Sequence, residues 1–223
     1  MLDDSPGSTQ LASAPGTNGP LLKFHGGMER EASKRWGTAV IRGSKVTTLR
    51  FEGDGYVAGP AAGLPAGAAP RTLAGWFKPR KSGNGPFGWG KSGCNNAYYI
   101  WISGGHTVNL DQWCQEEGVN PVIKKSENRW YHVAVTYDGS KNAAYVDGSF
   151  VRAGNPDKAP NTQTSGDAVM VLGGNPGKSG DFSGEIAQVS VYNRALTPQE
   201  IELLYSNSLK GQNTGYQTRT LVI

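Results

Sequence analysis

Two tryptophans, a tyrosine, an asparagine and an aspartate crowd into one stretch bounded by the chain's only cysteines, CNNAYYIWISGGHTVNLDQWC, residues 94–114. Flat rings offer apolar surface to the faces of sugar rings, and amide or carboxylate groups beside them reach paired hydroxyls. Tyr99, Trp101, Asn109, Asp111 and Trp113 are therefore the parts of a carbohydrate-binding surface, provided one backbone element presents them together.

A hairpin would do so. Two runs rich in aromatic and β-branched residues flank Ser103-Gly104-Gly105, a three-residue turn with glycine available for the left-handed position. The expected strands are 97–102 and 106–113, paired so that facing residue numbers sum to 208. Tyr98, Ile100, Ile102, Val108 and Leu110 then share one face, which must be core, and Tyr99, Trp101, Thr107, Asn109, Asp111 and Trp113 share the other. The same register sets Cys94 opposite Cys114 and predicts a disulfide, which favours an oxidising, extracellular or secretory compartment. The second face has two readings: a surface on which a ligand docks, or a surface covered by a loop or by the N-terminal segment.

Other chemistries lack their parts. There is no Gly-x-Ser-x-Gly elbow, no paired-histidine metal motif and no phosphate-cradling glycine loop ahead of a helix. Glu116 and Glu117 are adjacent, so an extended chain points them to opposite faces. The net charge of +4 is scattered, with short clusters only at Lys78-Pro79-Arg80-Lys81 and Lys124-Lys125, which speaks against nucleic acid as a partner. No apolar run is long enough to span a bilayer, and MLDDSPGSTQ has neither the basic nor the apolar region of a signal peptide.

The elements that must position the hairpin are short strands. In 223 residues, 32 glycines and 13 prolines without a fixed period suit tight turns between strands rather than a helix bundle. Residues 1–20 have the composition of a flexible linker or tail, 21–206 that of one folded domain, and 207–223 form a polar C-terminal extension whose last residues are able to add an edge strand or to form an arm to a partner. Strands are expected at 21–24, 45–51, 72–78, 130–137, 143–146, 169–172 and 185–192. In the last of these, Ile186, Gln188, Ser190 and Tyr192 alternate with Ala187, Val189 and Val191. Trp76, Trp130, Val133 and Val135 are read as core, and His132 as a core histidine. One helix is signalled by Thr197-Pro198-Gln199-Glu200, with a capping threonine, proline at the first helical position and glutamate at the third. The expected fold is all-β: a two-sheet antiparallel sandwich with one short C-terminal helix.

Several segments carry a family resemblance: Phe51-Glu52-Gly53-Asp54-Gly55-Tyr56-Val57, Leu73-Ala74-Gly75-Trp76-Phe77-Lys78-Pro79, and Arg129 to Gly139. Ala144-Tyr145-Val146-Asp147-Gly148, Phe182-Ser183-Gly184-Glu185-Ile186, and Tyr192 to Ile201 continue the series. In order and over about residues 45–206, they resemble the laminin-G-like, concanavalin-A-like jelly-roll family. The resemblance implies two curved antiparallel sheets and a role as a carbohydrate-binding, lectin-like or adhesion module of a larger secreted protein, with a protein-interaction or assembly module as the alternative. It also implies a structural calcium in many members, with an aspartate following Gly-Glu-Ile. Here Ala187 and Gln188 stand at the usually acidic positions, which removes two hard oxygen ligands and leaves Asp54, Asp138 and Asp181 as weak metal candidates. Glycoside hydrolases on this fold carry a Glu-x-Asp-x-x-Glu pair of carboxylates, and that spacing is missing, so catalysis is not expected. The expected partner is a carbohydrate, with a protein partner as the alternative, and the net charge of +4 gives an acidic or sulfated polysaccharide a modest electrostatic preference.

Overall fold

The computed structural model describes residues 10–11, 20–81, 85–103, 107–114, 116–122, 128–154, 159–177, 179–207 and 219–222. The hairpin tip 104–106, the pair Lys124-Lys125 and most of both terminal segments lie outside the described residues. In chain order the elements are β1 (Gln10–Leu11), β2 (Leu22–Gly26), α1 (Gly27–Arg30), α2 (Ala32–Arg35), β3 (Trp36–Ile41), β4 (Ser44–Glu52), β5 (Gly55–Pro60) and β6 (Arg71–Pro79). They continue with β7 (Phe87–Gly90), β8 (Ala97–Ile102), β9 (Thr107–Asp111), β10 (Glu116–Val122), β11 (Tyr131–Tyr137), β12 (Asn142–Val146) and β13 (Ser149–Ala153). Last come β14 (Val169–Leu172), β15 (Ser183–Tyr192), α3 (Pro198–Asn207) and β16 (Arg219–Val222).

Two antiparallel sheets form the sandwich. Sheet A runs β1-β2-β5-β14-β7-β8-β9-β10, and sheet B runs β13-β12-β11-β6-β15-β4-β3, with β16 paired to β15. Inward side chains alternate along each strand, as Phe87 and Trp89, Tyr98 and Ile100, Leu73 and Phe77, Val133 and Val135 do, and they meet in one core. Several strands were not foreseen: β1, which lies in the expected linker, and β3, β5, β7, β10 and β13. Glycine, charge or proline weakens the local strand signal in β5, β7, β10 and β13, which their neighbours hold in the sheet, whereas β3, WGTAVI, has strand-forming residues that sequence reasoning passed over.

In β15 the expected alternation breaks. Ile186 faces the core together with Val189 and Val191, while Ala187 and Tyr192 face outward, because the register slips between Ala187 and Ser190. Gln188 makes the bulge with a left-handed φ of 51°.

The outer face of sheet B is covered by α3. Thr197 Oγ1 accepts from the Glu200 N–H at 3.3 Å and a Glu200 carboxylate oxygen accepts from the Thr197 N–H at 2.8 Å, the expected capping box. Leu196, Ile201 and Leu204 then pack on Ala74, Ala134, Tyr145 and Tyr192. Tyr205 stacks on Trp76 with ring centroids 5.5 Å apart, Arg42 lies 4.2 Å over its ring, and His132 is buried against both aromatics. Trp130, expected in the core, is half-buried in this outer cluster.

One end of the sandwich is closed by Arg71, which is fully buried. Its Nε donates to the Ala69 carbonyl, one terminal nitrogen to Pro65 O and Thr162 Oγ1, and the other to Ala66 O and Gly67 O, at 2.6–3.3 Å. The guanidinium sits 5.7 Å from the Trp89 ring and 5.3 Å from the Tyr98 ring. Burial lowers its pKa to about 10, so it stays charged at neutral pH.

Two outcomes are expected. Arg71→Met removes five hydrogen bonds from this cage, although the carbonyls of Pro65, Ala66 and Gly67 keep a second donor, and should lower unfolding stability by about 3 kcal/mol in urea titration, with Arg71→Lys recovering only part of it. A wild-type midpoint in Arg71→Met would refute the assignment. For His132, burial lowers the pKa from 6.5 to about 4, so the folded chain binds fewer protons than the unfolded one within that window. Stability should therefore fall by roughly 2 kcal/mol between pH 7 and pH 5, and His132→Gln should flatten that slope.

Candidate functional site

Helix α3 lies on sheet B, and among the described residues no helix packs across the outer face of sheet A. Its registers line up a row across the strands: Lys23, Ala58, Val171, Gly88, Tyr99, Asp111 and Glu116. The next row along carries His25, Tyr56, Trp101 and Asn109.

The hairpin of β8 and β9 has the expected faces and a different register. Tyr99 pairs Asp111, Ile100 pairs Leu110 and Trp101 pairs Asn109, sums of 210 rather than 208. The Ser103 N–H donates to Thr107 O at 2.9 Å, so Ser103 pairs with Thr107 as the last described rung of the hairpin rather than belonging to its turn. A shift of two residues keeps every side chain on its face, which is why the core set of Tyr98, Ile100, Ile102, Val108 and Leu110 is as expected.

Cys94 and Cys114 are bonded although the ladder register no longer sets them opposite each other. The chain closes the gap with left-handed backbone at Asn95, Trp113 and Cys114, φ 61°, 60° and 66°, and with a hydrogen bond from the Asn95 N–H to Trp113 O at 2.9 Å. Left-handed residues with side chains cost about 1 kcal/mol each, which the staple and its hydrogen bonds must offset.

The outer face is partly closed. Tyr99, Asn109 and Asp111 are buried, while Trp101 and Trp113 are half-buried. Asp111 accepts from the Tyr99 hydroxyl at 2.8 Å with one oxygen and from the Trp113 N–H at 2.6 Å with the other. Burial raises its pKa, and these two hydrogen bonds pull it back. The Tyr99 and Trp113 rings lie 5.9 Å apart, and the Trp113 ring tip approaches Gly177, where an added Cβ would come within 2.7 Å. Tyr99 lies against Gly88, and any side chain there would collide with its Cβ. So Tyr99, Asn109 and Asp111 form the support, and Trp101 and Trp113 are the rings left partly open.

Loop residues that sequence reasoning missed anchor this support. Asn95 accepts from the Asn161 N–H and donates to Ala159 O, and the Asn96 carbonyl accepts from the Gln163 N–H. Between them Thr162 exchanges two backbone hydrogen bonds with Gly67, next to the Arg71 guanidinium. The asparagine pair beside a cysteine was a visible turn signal, but its partners lie more than sixty residues away in sequence.

The metal candidates do not converge. Asp54 holds the buried Arg35 guanidinium at 2.7 Å, a cation where calcium would need open oxygens. Asp138 accepts from the N–H groups of Ser140 and Lys141 in its own turn, which lower its pKa, and Asp181 is exposed ahead of β15. Ala187 is buried and Gln188 forms the bulge. Among the described residues no three His, Cys, Asp or Glu side chains come together as ligands.

A sandwich of this topology, with one open sheet face and a stapled aromatic hairpin, defines a lectin-like architecture. The chain belongs to the concanavalin A-like lectin/glucanases superfamily, whose family model matches residues 51–202. Among solved structures, domain 4 of AbnA, an extracellular GH43 arabinanase from Geobacillus stearothermophilus bound to arabinotriose, is 19% identical with a TM-score of 0.60, over 82% of this chain and 87% of that one. A carbohydrate-binding protein of Bacteroides ovatus, so described provisionally, is 18% identical with a TM-score of 0.61, over 80% of this chain and 51% of its own. A GH54 α-L-arabinofuranosidase is 14% identical with a TM-score of 0.69, over 90% of this chain and 50% of its own. At these identities the likeness is one of fold, and the chain spans about half of the latter two. No curated protein matches the sequence.

Replacing both cysteines by serine should remove about 3 kcal/mol of stability, the chain-entropy value for a ring of this size. The same variant should red-shift tryptophan emission as Trp113 loses its backbone anchor, and unchanged emission with unchanged stability would contradict the staple's role.

Proposed function

We propose that this chain is a non-catalytic carbohydrate-binding module of a secreted or cell-surface protein, with Trp101 and Trp113 as its contact rings. The observation that carries this reading is the stapled hairpin, in which a disulfide, a buried carboxylate and three left-handed residues hold Trp113 half-open on the sheet face that also carries the half-buried Trp101. Rings pre-set in this way lose little freedom when a sugar stacks on them. Asp111 and Tyr99 act here as positioning residues, since both Asp111 oxygens already hold protein donors. The fold of carbohydrate-binding neighbours supports the class of ligand. A preference for acidic or sulfated chains follows from the net charge of +4 and would weaken as salt rises.

One observation favours a second reading, hydrolysis. The register sets Glu116 opposite Asp111, so two carboxylate-bearing residues are neighbours across β9 and β10, and burial raises the Asp111 pKa as a general acid requires. Reducing-end assays on arabinan, β-glucan and alginate separate the two readings. Turnover abolished by Asp111→Asn would establish hydrolysis and remove the non-catalytic proposal.

For binding, affinity electrophoresis in gels holding the same polysaccharides is the measurement. Trp101→Ala should weaken retention about tenfold or more, while the melting temperature moves by no more than a few degrees. If Trp101→Ala unfolds the chain, Trp101→Phe keeps a ring and should bind with intermediate strength. No retention of the wild type in any of these gels would end the proposal.

A further inference from the structure

We infer a second saccharide site at the opposite end of the same sheet face, shaped for a neutral sugar unit. A groove of about 720 Å³ lies over β2, β5 and β14, walled by Pro20 and Leu21 on one side and by the turn Gly166–Ala168 on the other. That volume is within the ordinary range of small-ligand sites. It shares no residue with the hairpin site, and buried Val171 and Gly88 separate its Ala58 edge from Tyr99 along the row.

The floor is built by strand alternation. Phe24 and Val57 point into the core, so their neighbours His25 and Tyr56 must point outward, and the register pairs these two directly. Their rings stack with centroids 4.9 Å apart and planes inclined by 17°, a half-buried aromatic surface beside the apolar edges of Pro60 and Val169. Two further groups fix the kind of ligand. Lys23 lines the groove with an ammonium that only donates, and Asp167 with a carboxylate that only accepts. Asp167 is held by Lys91 at a loose 4.0 Å and keeps a side-chain exposure of 71%, so it remains able to accept.

A ligand for this groove needs an apolar face for the rings and groups that both accept and donate for the two charges. Sugar hydroxyls do both, and a pyranose or furanose ring has an apolar face. A strongly anionic unit would meet Asp167, and a cationic one would meet Lys23, which favours a neutral saccharide. The inference rests on the carbohydrate reading above for its ligand class and on none of that site's residues.

The test is titration of the isotope-labelled full chain with arabinotriose, cellotriose and mannotriose, followed by amide chemical shifts. At least one sugar should move the amides of Lys23, His25, Tyr56, Gly59 and Val169. Tyr56→Ala should weaken those shifts about tenfold, the loss of a stacking ring. Lys23→Met, on an exposed side chain, provides a second variant and should weaken them several-fold. Trp101→Ala should leave them unchanged, so failure of the hairpin site and failure of this site are told apart. Shifts confined to residues 97–113 would overturn the groove site while leaving the hairpin standing. The groove site also falls if none of the three sugars moves the groove amides, including the case in which a proline-rich peptide does so instead.

Discussion

The loop cluster that borders both candidate sites is organised around Arg71, a cation buried with no carboxylate partner among the described residues. Arg71 opens strand β6 and points into the core, where a methionine of similar reach would have been the simpler choice. Burying an unpaired charge is costly, and it is tolerated only where hydrogen bonds replace the lost water. A guanidinium has five N–H donors, and here four carbonyls and a threonine hydroxyl receive them, with Trp89 and Tyr98 alongside. The carbonyls all belong to residues 65–69, so one side chain replaces the backbone partners that this loop would otherwise take from water. Trp89 Nε1 adds a further bond to Pro65 O. Lysine, with three donors on a flexible stem, has no equivalent geometry.

From that cage the constraint spreads to both candidate sites. Gly67 is tied to Thr162, and the neighbours of Thr162 are tied to Asn95 and Asn96, which adjoin Cys94 and the Trp113 carbonyl. In the other direction, Ala61 donates to Ala168 O, which fixes the turn that walls the groove over β2 and β5. The two ends of the sheet face are thus set by one loop cluster. Sheet B is used differently, since α3 and the stacked Trp76, His132 and Tyr205 fill its outer face. The division assigns packing to one sheet and leaves the other with surface to spare.

What could be read from the sequence follows the range of each interaction. The hairpin faces were legible because parity survives a two-residue error in register, and the disulfide was legible although the ladder does not itself align the cysteines. The capping box at Thr197 and Glu200 involves neighbours three residues apart and was equally visible. Gln188 was misread because a bulge is a one-residue insertion that only the strands beside it reveal. Arg71 could not be foreseen, since an arginine at a strand start reads as a surface charge until the loop and Thr162 fold over it. The outward set Tyr99, Asn109 and Asp111 shares one face as expected, while its burial depends on residues outside the hairpin, among them Gly85 and Gly88 packed against Tyr99.

That burial bears on the choice between binding and catalysis. A general acid must hold its proton where the leaving oxygen can take it, so at least one carboxyl oxygen must face the substrate. Both oxygens of Asp111 are engaged, one with Tyr99 and one with the Trp113 backbone, so a proton on one would weaken the acceptor for the Tyr99 hydroxyl and a proton on the other the acceptor that holds Trp113 in its left-handed turn. A raised pKa in such a place reflects the cost of enclosing the group, which structural carboxylates incur as readily as catalytic ones. A binder gains from the same arrangement: the enclosed carboxylate stiffens the turn, and the stiff turn holds the ring on which a ligand would stack. On this argument the buried chemistry of the hairpin serves the geometry of its surface, and the non-catalytic reading asks less of Asp111 than hydrolysis does.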